Sequence, residues 1–481
     1  MSGQVSAERI EEVFWKACDA FRGSRASEAT SFFLSLCLLL LKFFSDLARD
    51  KRELALLDWR GQSLWASLQI PEACEWGRLE NHPDKTSVRS VKSMLREIGI
   101  RNQEVVGDMF GPLFVGHDDE TEGESISVAV DIFSQLDLRP SILSGEVLGA
   151  VYETMVAKFS ESQGSLGEFY VPEGVSSLVA RLADPRQGES IYDPYCRSGQ
   201  LLARLAQQSK HPARLTGQAR SLRDASLAKI NMLLHGWGNS RITVADPITS
   251  PELREGVLSR FDVVVSNPPF GMDSWASEMA WKDSYKRFKW GVSPPKLADY
   301  AFISHIVDCM QEEVGRSVVV VSHGALSRGG SEASIRKAFV EENLVHGIVA
   351  LPGGLFSATR ISVALIVFKN KREDRGVLFV DASHAFLTTA GRNFLRDQDV
   401  DRIERIFKAF ETEEGFSYLA SPEEIQENDF NLSVSRYVRP KSPAYRRLSE
   451  VWSEIQPIQE ELKEVQEELD ALLRKFGSIP E

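Results

Sequence analysis

The chain has 481 residues, 43% of them hydrophobic, and a formal net charge of -13. That length and apolar content describe a soluble globular protein of two or three domains with real cores, while the acidity argues against gripping nucleic acid alone, because phosphate contacts dominate that affinity. Five scattered cysteines, Cys18, Cys37, Cys74, Cys196 and Cys309, form no CxxC pair and argue against both a disulfide framework and a zinc site.

The N-terminus shows no basic stretch leading into an apolar one, so no secretory signal is read and the expected location is cytoplasmic. Ile10, Val13, Phe14, Ala17 and Phe21 recur at helical spacing. The apolar run Phe32 to Phe44 is interrupted by Ser35 and Lys42 and is shorter than the roughly 20 residues of a bilayer span, which predicts a buried helix. Helical segments continue to about residue 140, past an acidic patch near residues 117–125. The domain boundaries read from these changes are 1–145, 146–440 and 441–481.

From about residue 165 short apolar runs alternate with helical stretches: SIYDP, RLTGQA, RITVAD, FDVVVSNPP, SVVVVSH, LVHGIVALP and ISVALIVFK. This alternation predicts an α/β fold with a mostly parallel, doubly wound sheet, in which ligands bind at the carboxyl ends of the strands. Asp193 and Asn267 both fall at such ends. The run starting at Glu189 is a strand, a turn containing Gly199 and an amphipathic helix, an arrangement that suits a nucleotide-like ligand at a helix N-terminus. Upstream, GEFYVPEGVSSLVARL puts two aromatics before a proline that opens a helix.

The strand FDVVVS stops at Asn267-Pro268-Pro269-Phe270. Two prolines hold the backbone rigid, carry no N–H and leave carbonyls free as acceptors. The Asn267 side-chain oxygen and the Pro268 carbonyl suit the two hydrogens of a planar amino group, and Phe270 offers a stacking face. On these residues alone, methylation of cytosine N4 and of adenine N6 are both open, as is ordinary turn chemistry. Between Gly271 and Asp299, Trp275, Trp281, Tyr285, Phe288 and Trp290 are interleaved with Lys282, Lys286, Arg287, Lys289 and Lys296. This pattern suits either phosphate contact with a splayed-out base or aromatics that cap the sheet under solvated lysines. Near the C-terminus, Ile455, Ile458, Leu462, Val465, Leu469, Leu472 and Phe476 form a heptad seam that wants a partner, in this chain or another.

Taken in order, GEFYVP, YDPYCRSGQLL, GQARSLRDASLAKINMLLHG, SNPPFG, KLADYAFISHIV, IVALPGGLFSATRISVALIVFK and NDFNLSVSRYV resemble the M subunit (HsdM) of type I restriction-modification systems. The resemblance runs from the N-terminal helical segments to the C-terminal helix. It implies a Rossmann-like, S-adenosylmethionine-dependent methyltransferase sheet with an N-terminal helical domain and a C-terminal coiled-coil-like helix for subunit docking. The implied activity is gamma-class, adenine-N6-specific DNA methylation within a host-defence system. Its implied catalytic residues are Asn267, Pro268, Pro269 and Phe270, acting on an adenine flipped from double-stranded DNA, with no metal. Glu168, Phe169, Tyr170 and Pro172 match the motif bordering the methionine part of the cofactor, with Val171 lying within it. Asp193 and Gly199 match the loop under its carboxylate and ribose, which also carries Arg197 and Ser198; Ala219 falls at the ribose position, and Asp246 matches the acid near the adenine. The implied partners are a specificity (S) subunit, a second M subunit and a restriction (R) subunit.

Three positions depart from that family's pattern. Val171 replaces a threonine, Arg197 a glycine, and Ala219 an acidic residue that takes the ribose hydroxyls. The alternative reading is therefore a non-catalytic or weakly cofactor-binding scaffold on the same fold. A nucleotide-using oxidoreductase would instead need a GxGxxG turn, which the first strand lacks.

Overall fold

The computed structural model describes residues 6–22, 27–53, 63–82, 87–114, 123–143, 145–162, 170–356, 361–389, 391–439 and scattered positions from 452 to 469. Two compact units result, Met1–Val438 and Arg439–Glu481. The first helix, Ala7–Asp19, starts where the Ser6 hydroxyl accepts the Arg9 N–H, and it buries Ile10, Val13, Phe14 and Ala17 as their spacing predicts. The second, Glu28–Glu53, is longer than the apolar run and its apolar window would suffice to cross a membrane, yet that window is wholly buried among the neighbouring helices.

Polar residues extend this helix past Phe44 because they find partners far along the chain. Lys42 pairs with Asp46 at 2.6 Å in the core, and Asp46 also accepts the Leu138 N–H at 2.7 Å. One turn later Asp50 accepts both the N–H and the hydroxyl of Ser141, at 2.8 and 2.6 Å. Residues 138–141 are thus pinned to the helical core. The helix after the expected 145/146 boundary, Gly145–Ser162, packs into that same core through Leu148, Val151, Tyr152, Met155, Val156 and Phe159. Phe159 stacks on Phe32 with ring centroids 4.0 Å apart. The helix Leu222–Leu234 adds Leu227, Ile230, Leu233 and Leu234, so the helical layer shares its core with a helix of the α/β region.

The strands in chain order are β1 Ser190–Asp193, β2 Arg214–Ala219, β3 Arg241–Val244, β4 Leu253–Arg254, β5 Val257–Leu258, β6 Val263–Ser266 and β7 Arg316–Ser322. They continue with β8 Val345–Ala350, β9 Val363–Lys369, β10 Val377–Asp381, β11 Leu387–Thr389, β12 Arg392–Phe394 and β13 Ser417–Ala420. Nine form one sheet in the order β13-β10-β8-β9-β7-β6-β1-β2-β3. All seven expected runs are strands of this sheet. It is mostly parallel, with β9 antiparallel between β7 and β8 and β13 antiparallel at one edge. Every position of β6 is buried, as a continuous β-branched run between two covered faces requires.

The order reverses between β1 and β6, since β2 and β3 lie on one side of β1 while β6 and β7 lie on the other. Such a switch point opens a crevice at the carboxyl ends of the two strands. In the second unit, the described positions between Trp452 and Leu469 are helical, and Leu462, Val465 and Leu469 are exposed. Ile455, Ile458, Leu472 and Phe476 lie outside the described residues.

Candidate active site

The ends of β1 and β6 are joined directly. Asp193 is buried and accepts the Tyr195 N–H and the Ser266 hydroxyl, each at 2.9 Å. Burial pushes its carboxyl up to about 7, against those two hydrogen bonds and the positive charge of Arg197. Because this lies above the ordinary 3.8, the folded protein favours the protonated acid. The stabilisation it gives is complete below the unfolded-state value and is lost as pH rises through about 7. Between about pH 5 and pH 8 the wild type should therefore lose thermal stability relative to Asp193→Asn, by on the order of a few kcal/mol. Parallel pH profiles for the two proteins in a melting-temperature series would show that Asp193 does not titrate there.

At the tip of β6 Asn267 is 5% exposed, and its Oδ1 has no hydrogen-bond partner among the described residues. A buried acceptor left unpaired costs about 1–3 kcal/mol, so it marks a place for a donor. Pro268 is buried beside it, Pro269 is half-buried, and Phe270 meets Phe356 edge-on with ring centroids 6.0 Å apart. Asn267, Tyr195 and Gln200 line one small cavity with Val171, Asp193 and Arg197–Ser198. Tyr195 Oη and Gln200 Nε2 are also buried without a hydrogen-bond partner within normal geometry among the described residues. Asn267, Tyr195 and Gln200 thus line the same space.

That space is nearly closed. Its volume of about 10 Å3 holds one water at most. The loop that closes it turns twice through left-handed conformations, at Arg197 (φ 47°) and Gly199 (φ 76°). Gly199 is required: a Cβ there would lie 3.1 Å from the Ala228 Cα. Arg197 adopts the same left-handed region, where an L residue carries strain of roughly 1–2 kcal/mol. Around the loop, the Ser198 carbonyl accepts from Asn231 and the Gln200 Oε1 accepts the Val171 N–H, both at 3.0 Å. Tyr170 stands near Ser198, Gln200 and Asn231, and Pro172 caps the helix Glu173–Ala183. Glu168 and Phe169 lie outside the described residues.

Ala219, buried at the end of β2, presents no acceptor. Its neighbour Arg220 places Nε 3.3 Å from Asp246 Oδ2, so the acid at the end of β3 is held by a cation. Asp224, in the first turn of Leu222–Leu234, is raised by burial and lowered in turn by Arg197 among other cations. Arg220, Ser266, Tyr195, Gln200 and Asp224 escaped sequence reasoning, since only the fold brings them together; the Ser221 cap three residues before Asp224 was the one local signal.

The basic and aromatic segment divides in an unforeseen way. Arg287, one of the basic residues read as facing either phosphate or solvent, is 3% exposed and bonded internally. It pairs with Asp283 at 2.6 Å, donates to the Pro247 and Ile248 carbonyls at 2.8 Å each, and lies 3.2 Å from His305 Nδ1. Lys289 pairs with Asp308 at 3.0 Å. Trp275, Phe288 and Trp290 are buried, whereas Trp281 is exposed.

With this geometry in place, the sequence profile of the N-6 DNA Methylase family matches residues 143–444. The chain belongs to this family. It is 32% identical over 348 residues to the type I restriction enzyme MjaVIII methylase subunit of Methanocaldococcus jannaschii, an alignment covering 68% of this chain and 59% of that relative. It is 30% identical over 320 residues to the MpnII methylase subunit of Mycoplasma pneumoniae, covering 62% and 58%. The chain thus spans under two thirds of the length of these methylase subunits. Among solved structures, the type I restriction-modification methyltransferase subunit from Streptococcus thermophilus superposes with a TM-score of 0.79 at 25% identity, over 90% of this chain and 100% of that one. The family match begins just before Gly145–Ser162 and takes in the whole nine-stranded sheet.

Proposed function

We propose that this chain is the methyltransferase subunit of a type I restriction-modification system and methylates N6 of adenine in double-stranded DNA. The buried Oδ1 of Asn267 at the sheet's switch point, without a partner among the described residues, carries this reading. Asn267 Oδ1 and the Pro268 carbonyl each accept one hydrogen of the amino group, and Phe270 stacks on the flipped base. Neither oxygen is basic enough to remove a proton beforehand, so the amine attacks as a neutral nucleophile with its lone pair turned out of the ring. Positioning supplies much of the acceleration.

S-adenosylmethionine, the proposed cofactor, supplies an electrophilic methyl group when bound. Its proposed site comprises Glu168, Phe169, Tyr170, Val171, Pro172, Asp193, Arg197, Ser198, Gly199, Ala219 and Asp246. The Tyr195 hydroxyl and the Gln200 amide nitrogen, which have no partner among the described residues, suit the polar end of such a ligand. Two features fit less well: Ala219 gives the ribose no carboxylate, and Arg197 narrows the entry. These favour, as a second reading, a subunit that binds cofactor weakly and serves as a scaffold.

Calorimetric titration with S-adenosylmethionine separates the two. One-site binding supports the enzyme, and no binding at millimolar ligand supports the scaffold. Arg197→Gly should tighten that binding about 10-fold, equivalent to ~1.4 kcal/mol, by widening the crevice and releasing the left-handed strain. Unchanged or weaker binding would show that Arg197 does not obstruct the ligand. The partners we propose are a specificity subunit that reads the DNA, a second methyltransferase subunit and a restriction subunit. The exposed Leu462, Val465 and Leu469 suit the segment 441–481 to docking on the specificity subunit.

A further inference from the structure

We infer that residues 271–299 form a fixed tongue beside the catalytic crevice, and that its exposed Trp281 stacks on an unpaired DNA base. This rests on the methyltransferase reading for its substrate and adds a base-contacting residue to it. The root of the tongue is well anchored. Trp275, Ala280 and Phe288 are buried in one cluster with Tyr195 from the loop after β1, Ile248 from the loop after β3, and Ala298, Ala301 and Phe302. Trp275 Nε1 donates to the Pro294 carbonyl at 2.9 Å, and Arg287 ties the tongue to Pro247 and Ile248. The tongue therefore sits over the carboxyl ends of the strands that bear Asp193 and Asp246.

Its tip is built differently. In and after the short turn Ser277–Ala280, Ala280 points inward while Met279 and Trp281 are 55% and 80% exposed. The segment's other tryptophans and Phe288 complete the fold, so Trp281 is the large ring left over. An exposed indole on an anchored segment offers a broad stacking face.

Charge identifies what it meets. Lys282, Lys286 and Lys296 are exposed and pair with no carboxylate among the described residues, in contrast to Arg287 and Lys289. Asp273 and Glu278 are exposed nearby, which leaves only a slight positive excess. Stacking then supplies the main contact, and the three lysines meet flanking phosphates. A nucleic-acid base satisfies both demands.

The test is fluorescence anisotropy of the full chain with a labelled DNA duplex carrying one unpaired adenine, at low salt. Trp281→Ala should bind about 10- to 100-fold more weakly, and Trp281→Phe should stay within about 3-fold of wild type. The melting temperature of both variants should match wild type, as befits an exposed side chain. Equal binding by Trp281→Ala, or no binding by wild type, overturns the inference. So does intact DNA binding with lost assembly on a specificity subunit, which would make Trp281 a protein contact. Failure of S-adenosylmethionine binding would sink the methyltransferase reading while leaving the Trp281 comparison readable, so the two failures are distinguishable.

Discussion

Asn267→Ala is expected to fold like the wild type and to transfer methyl groups to DNA about 100- to 1,000-fold more slowly, the usual effect of removing one preorganised polar contact from a reacting centre. The change deletes the buried Oδ1 that has no partner among the described residues, so little stability should be lost with it. Asp193 and Ser266 keep their hydrogen bond, because neither depends on the Asn267 side chain. Cofactor affinity measured by calorimetry should change little, whereas kcat should fall. A variant that kept wild-type kcat in the assembled complex would remove Asn267 from the chemistry.

Asp46→Ala should destabilise the protein by about 3–5 kcal/mol, because it leaves the Lys42 ammonium uncompensated in the helical core. It also strips the Leu138 N–H of its acceptor and so loosens the segment that the second helix holds in place. Replacing both partners at once, with Lys42→Met and Asp46→Leu, should recover most of that loss, since two apolar side chains leave no buried charge. Urea midpoints for the single and double variants check this. A single variant within about 1 kcal/mol of wild type would mean that the pair is solvated in solution.

The strand FDVVVS and its tip could be read from sequence because every signal there is local: an unbroken β-branched run, then Asn and two prolines. The Asp193 position was equally plain, since a strand followed by a glycine turn and an amphipathic helix announces its own carboxyl end. Arg287 misled because its neighbours in sequence are lysines and aromatics, whereas its partners Pro247, Ile248 and His305 arrive through the fold. Arg220 and Asp246 met for the same reason, across two adjacent parallel strands. The second helix outran its apolar stretch because Asp46 and Asp50 found acceptor roles about ninety residues away. β10 and β13, at one edge of the sheet, are not among the seven runs that stand out in the sequence.

Arg197 and Ala219 bear most on whether the tip is used. The structure shows a crevice with room for about one water, a strained arginine in its wall and no carboxylate at the end of β2. Cofactor entry requires this loop to open, and the space behind it is lined by Asn267, whose Oδ1 has no partner among the described residues.

The central claim is tested most directly by incubating the full chain and its specificity subunit with DNA and methyl-labelled S-adenosylmethionine, then digesting the DNA to nucleosides for mass spectrometry. Label is expected in N6-methyladenine; label in N4-methylcytosine, or in no nucleoside, would overturn the adenine-N6 assignment.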